Sequence, residues 1–175
     1  MLVVFYNHFH ANSLGIVRAQ TPLVESICKQ AESYEFCCST FSSHLRTSTS
    51  DLHGLALISI AETIEHVRDI CDRLIPQLLV SNYINSVGKQ RIKICQSDYN
   101  ESLEKFFGAF ASSSRRSYWE VIDWVRDGAN KAIDCEDVYR RYDPISVSPI
   151  SADNHKVIKL VEITLIVVQP LVTFV

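Results

Sequence analysis

Apolar residues recur at helical spacing over most of the chain. From Asp51 onward, Leu57, Ile64 and Cys71 lie seven apart, with Ile60, Val67 and Leu74 forming a second line beside them. Two such lines make one apolar stripe on an amphipathic helix. Ser50 or Asp51 can cap its start by accepting from backbone N–H groups that lack intrahelical partners, and Pro76 ends or kinks it by removing a donor. A second segment, about residues 89–111, aligns Ile92, Tyr99 and Phe106 beside Leu103 and Phe110, and carries Gln96, Asn100, Glu101 and Glu104 on its polar side. After the turn Ser112-Ser113-Ser114-Arg115-Arg116-Ser117, a third segment runs to about Arg141, with Tyr118, Val125, Ala132 and Tyr139 seven apart. Ser117 and Glu120 have the spacing of a capping box at its start.

Asp143-Pro144 and Ser148-Pro149 bracket a short connector, after which Ser151 or Asp153 starts a last apolar segment through Val168, with Pro170 expected to stop it. That segment is rich in Val and Ile and could pair as a strand, but no partner strand is evident, so it reads as helix. Ahead of the long segments, residues 22–30 and 34–42 read as two short helices around a turn at Glu32-Ser33. Short connections between long amphipathic helices predict an all-α fold: an antiparallel up-and-down four-helix bundle carrying an N-terminal helical hairpin.

Composition supports this reading. Five Gly and five Pro in 175 residues leave few sites for the tight turns of an all-β domain. With 47% apolar and 21% charged residues, the chain can build one real core, and its length suits one domain. A net charge of -3, with no basic run beyond Arg115-Arg116 and Arg140-Arg141, argues against a nucleic-acid partner, which needs clustered cations.

Residues 1–19 are set apart from a domain spanning 20–175. They read as a truncated or wrongly started secretory signal: the apolar run Leu2 to Tyr6 is broken by Asn7, His8 and His10, while Val17-Arg18-Ala19 permits cleavage before Gln20. The alternative is a disordered terminus. Residues 163–175 carry no charge but are too few to cross a bilayer, and no polar spacer marks a lipid-anchor signal.

Six cysteines allow fifteen complete pairings, and hairpin symmetry narrows them. In two antiparallel helices, residues equidistant from the turn lie opposite each other. Cys95 and Cys135 centre on position 115, inside the proposed turn, and Gly128, Ala129 and Ala132 permit the close approach that a disulfide needs. Cys28 and Cys37 are related in the same way about Glu32-Ser33, although Cys38 can compete with Cys37 for that bond. Entropy arguments give about 2 to 4 kcal/mol for each such bond. Cys38 and Cys71 are left as free thiols, with Cys71 a buried seam residue that behaves as a small hydrophobe. Without Cys-x-x-Cys or finger-like His spacing, no zinc site is expected.

These landmarks resemble the plant invertase and pectin methylesterase inhibitor family over about residues 23–171. Ile27-Cys28-Lys29-Gln30 with Tyr34-Glu35-Phe36-Cys37 looks like the family's first cysteine pair, and Ser50 through Ala56 like the start of its first long helix. Tyr99 after Cys95, Cys135-Glu136-Asp137, and Val147-Ser148-Pro149-Ile150 look like its later landmarks. The resemblance implies a hairpin on a four-helix bundle, bonds Cys28 to Cys37 and Cys95 to Cys135, and secretion to the cell wall or delivery to the vacuole. It also implies a monomeric, cofactor-free inhibitor that binds an invertase or pectin methylesterase one to one, covering the active-site cleft. Its invertase branch carries Pro-Lys-Phe where this chain has Tyr118, Trp119 and Glu120, so the cation that would meet catalytic carboxylates is missing.

Arg115 and Arg116 can supply charge nearby, and Trp119 an aromatic anchor of the kind common in interface hot spots. Arg115, Arg116, Trp119 and Glu120 are therefore the interface candidates, against a reading in which the arginines are merely solvated; Tyr118 reads as core. The contrasting function is a non-inhibitory structural or ligand-carrying bundle of the pollen type, which an internal cavity would favour. Glu62, Glu65 and His66 do not match the carboxylate-metal pattern of bundles and read as a solvated face with Glu62 and His66 paired. No nucleophile elbow or phosphate loop is present, which argues against catalysis. Asn100-Glu101-Ser102 is a glycosylation sequon on an expected exposed flank.

Overall fold

A computed structural model describes residues 21–172, all of whose regular elements are helical. The signal-segment reading of residues 1–19 lies outside the described residues. Two short helices come first, α1 (Pro22–Cys28) and α2 (Tyr34–Ser42). Thr21 caps α1 by accepting from the Val24 N–H at 3.2 Å, and Pro22 occupies its first turn, where no donor is required. Beyond a single 3₁₀ turn, Thr47–Thr49, come the long helices α3 (Leu52–Asp69), α5 (Ser86–Ser114), α6 (Tyr118–Arg141) and α7 (Ser151–Val172), with the short α4 (Ile75–Val80) after α3. Asp51 and Asn85 cap α3 and α5 by accepting from Gly54 and Gly88.

Around the bundle the order is α3, α5, α6, α7, each helix packing on its two neighbours. The direction alternates. The start of α3 meets the start of α6 through His53 and Tyr118, while the end of α3 meets the start of α7 through His66 and the Asp153 carbonyl. Ile60, Val67, Ile92, Tyr99, Phe106, Val121, Ala132, Val157 and Val167 are fully buried along the axis. Two disulfides staple the fold. Cys28–Cys37 closes the α1/α2 hairpin with Cα atoms 5.4 Å apart, and Cys95–Cys135 joins α5 to α6 at 4.6 Å.

Several local expectations are corrected. Of the two outcomes expected at Pro76, an end or a kink, the end does not occur: the regular helix is interrupted by a π turn at Ile70–Leu74 and resumes as α4, with Pro76 in its first turn. Within that turn Ile70 is fully buried, while Cys71 is half-buried at the edge of the core and is not a fully buried thiol. Its burial pushes the thiol pKa up to about 11. Pro170 does not stop α7, which runs on to Val172 with Pro170 inside it. Glu62 pairs with His44 of the loop after α2, at 2.5 Å, and not with His66. His66 turns instead towards Asp153.

Buried polar groups fix the far end of the bundle. Tyr99 Oη donates to Asn154 Oδ1 at 2.6 Å, and Asn154 Nδ2 donates to Glu136 Oε2 at 2.7 Å. Arg91, buried over the Tyr139 ring, donates to the carbonyls of Tyr142 and Pro144 and to Ser146 Oγ, binding the α6–α7 connector to α5. Asn100 is exposed near the middle of α5.

Candidate protein-docking interface

The turn between α5 and α6 places the predicted interface residues at one end of the bundle. Ser112 and Ser113 are buried beneath it, and the Ser117 N–H donates back to the Ser112 carbonyl at 3.0 Å. So tight a reversal requires one residue in left-handed backbone, and Arg116 takes that role with φ 62°. Its guanidinium then lies over the start of α6 and donates to Tyr118 Oη at 3.4 Å. Tyr118 is buried against α3, its hydroxyl 3.1 Å from His53 Nδ1 and its ring edge-on to the imidazole.

The capping box does not form. Ser117 makes no side-chain cap bond, and its ψ of 69° departs from the extended geometry of a capping residue. Glu120 turns back to α5 instead, where Oε2 accepts from Ser112 Oγ at 2.8 Å and from Arg115 Nη2 at 3.3 Å. Arg115 and Glu120 thus largely neutralise each other, leaving Arg116 as the turn's surplus positive charge. Trp119 is 68% exposed, an uncommon position for so large an apolar surface. Beside it opens a shallow cleft of about 270 Å³ lined by Arg116, Tyr118, Trp119, Glu120 and Val172.

Sequence reasoning missed a second cleft at the same end. Leu45 and Arg46, from the loop after α2, lie across from Gly54 and Leu57 of α3 and Phe110 of α5, enclosing about 550 Å³. Leu45 has no periodic partner in its loop, and Phe110 fell on a line assigned to the core, so no local signal marked them. The structure does not bring the remaining named residues to this end: the Cys95–Cys135 bond lies between the helices, Cys28, Cys37 and Cys38 lie in the hairpin, and Asn100 is about 22 Å from Arg115 along α5. Among the described residues, no three His, Cys, Asp or Glu side chains stand together as metal ligands, and no helix is long and apolar enough to cross a membrane.

The geometry is that of a disulfide-stapled helical bundle with an exposed tryptophan and an arginine beside it at one end. The sequence profile described as plant invertase/pectin methylesterase inhibitor matches residues 22–167, and the chain belongs to that family. It is 30% identical over 151 residues to "Pectinesterase inhibitor 5" of Arabidopsis thaliana, covering 86% of this chain and 83% of that protein. To the "Putative invertase inhibitor" of Platanus acerifolia it is 24% identical over 169 residues, covering 92% and 93%. In fold it is similar to a crystal structure of mutant form A of a pectin methylesterase inhibitor from Arabidopsis, with a TM-score of 0.68, 16% identity, and coverage of 85% of this chain and 97% of that one.

Proposed function

We propose that the chain is a secreted or vacuolar inhibitor, without catalysis of its own, that binds a plant pectin methylesterase one to one and occludes its active-site cleft. Membership of the inhibitor family supports the class, and the relative at 30% identity carries the pectinesterase name. The observation that carries the docking surface is Trp119, exposed in the first turn of α6 beside Arg116, whose backbone the bundle fixes. A large aromatic side chain on a rigid helix offers apolar area at little backbone entropy cost on binding, as interface hot spots do. Invertase is the less favoured target, because Trp119 stands where that branch places its lysine and the Arg115 charge is engaged by Glu120.

The ligand-carrying reading requires an internal cavity. Tyr99, Phe106, Ile60 and Val167 fill the axis, and both clefts at this end are shallow and open to the surface. Titration of the purified protein against a pectin methylesterase and an acid invertase discriminates the readings. We expect stoichiometric loss of demethylesterification with invertase unaffected; invertase inhibition alone reverses the target, and inactivity against both leaves the non-inhibitory bundle.

A further inference from the structure

We infer that Asn100 is an N-glycosylation site that can be modified only before α6 closes onto α5, and that its glycan lies on the α3 side of α5, away from the Trp119 end. The sequon is Asn100-Glu101-Ser102, and Asn100 is exposed. Its serine is locked, and its glutamate is tied to α6 by a part-exposed ion pair. Ser102 is fully buried and its Oγ donates to the Gly128 carbonyl of α6 at 2.8 Å, while Glu101 Oε2 holds Lys131 Nζ of α6 at 2.6 Å. A transferase that must read the serine hydroxyl cannot reach it in the folded bundle.

Chain order removes the difficulty. Gly128 comes 26 residues after Ser102, so during translocation the sequon emerges before the helix that buries it. In the step itself, Asn100 Nδ2 forms a bond to the anomeric carbon of an oligosaccharide carried on a lipid pyrophosphate. The bond from that carbon to the pyrophosphate oxygen breaks, the lipid pyrophosphate leaves with the electron pair, and the amide loses one proton.

The completed glycan does not obstruct folding. Asn100 shares a line on α5 with Phe107, seven residues on, and Phe107 lies beneath Arg68 of α3 at 5.6 Å. Since α3 and α5 run antiparallel, Asn100 sits beside the π turn at Ile70–Leu74 with its own side chain exposed. Whichever enzyme is the target, modification at this position leaves the docking end uncovered.

The test is translation of the full chain behind a cleavable secretory leader in the presence of microsomes, scoring only protease-protected material. We expect one glycan, removable by peptide N-glycosidase, lost in Asn100→Gln and Ser102→Ala and retained in Ser102→Thr. Ser102→Thr separates a destabilised fold from a lost acceptor. Purified unmodified protein is then offered to the transferase with its lipid-linked donor, folded or reduced and unfolded; transfer only to the unfolded chain is expected. Protected but unmodified wild-type chain overturns the site, and equal transfer to folded protein overturns the order of events.

Discussion

The ring of Phe106 lies directly against the backbone of Gly128: a methyl group on that glycine would stand 2.7 Å from Cζ of the ring. The contact sits between Cys95–Cys135 and the α5–α6 turn and lets the two helices approach closely. Replacing glycine by alanine inside a helix ordinarily gains up to about 1 kcal/mol. Here the added methyl meets a fully buried aromatic ring that has little room to retreat. Overpacking of this kind costs about 1 to 3 kcal/mol, so Gly128→Ala is expected to lower the urea midpoint despite its better propensity. Adding Phe106→Leu should recover part of the loss, and a Gly128→Ala variant more stable than the parent would contradict the packing described.

Arg116 leads to the opposite expectation. A non-glycine residue in left-handed backbone costs about 1 to 2 kcal/mol. Its guanidinium offers little in return, since the bond to Tyr118 is long at 3.4 Å. Arg116→Gly relieves the strain but gives the unfolded chain more freedom, which costs about 0.5 to 1 kcal/mol. The net expectation is a gain of a few tenths to about 1 kcal/mol, with Arg116→Asn in between. Equilibrium unfolding measures this directly; destabilisation by both substitutions would show that the guanidinium contact outweighs the backbone.

His66 makes stability depend on pH. Its side chain is 9% exposed, and burial, followed by the nearby Lys156, lowers its pKa below the ordinary 6.5, although Asp153 and Asp69 pull the other way. Between the lowered value and 6.5 the unfolded chain therefore binds more protons than the native one. Stability rises with pH through that window, is fully present above it, and is lost as the solution is acidified. The urea midpoint should fall on acidification from about pH 7 to about pH 5, the range in which imidazole ordinarily titrates. His66→Gln should flatten part of that slope, and an unchanged slope in the variant would remove His66 as its source.

Cys71 should react slowly. With its thiol pushed up to about 11 by burial, little thiolate exists near neutrality. Relative to an unperturbed cysteine, alkylation at pH 8 is expected to be slower by on the order of 100-fold, from the thiolate fraction alone. Peptide-resolved labelling over a pH series checks this; rapid modification of Cys71 at pH 8 would mean that the π turn opens readily.

The long helices were legible because their cause is periodic: Tyr118, Val125, Ala132 and Tyr139 are buried as their spacing requires. The hairpin symmetries about positions 115 and 32–33 likewise depend only on helix geometry, and the structure carries both disulfides. Single residues whose outcome is decided by tertiary partners were misread. Pro170 lies inside α7, which continues to Val172. Glu120 fits a capping box by spacing, yet Ser112 and Arg115 offer its carboxylate better partners. The cleft between Leu45 and Phe110 joins elements far apart in sequence and had no local signature.

At the proposed docking end, Trp119 and Arg115 should separate sharply. An exposed ion pair such as Arg115–Glu120 is worth about 0.2 to 1 kcal/mol, and removing the arginine frees a glutamate already in solvent. Arg115→Ala is therefore expected to change affinity for pectin methylesterase by less than about fivefold. Burying the Trp119 side chain against a partner is worth much more, and truncating a hot-spot tryptophan commonly costs about 2 kcal/mol or more, about 30-fold in Kd. Because Trp119 is so exposed in the free protein, Trp119→Ala should leave the unfolding midpoint unchanged, which distinguishes a binding defect from a folding one. Inhibition constants for the two variants, measured beside their unfolding curves, decide it. Should Trp119→Ala inhibit like the parent while Leu45→Ala or Phe110→Ala does not, the contact surface belongs to the neighbouring cleft and not to the α5–α6 turn.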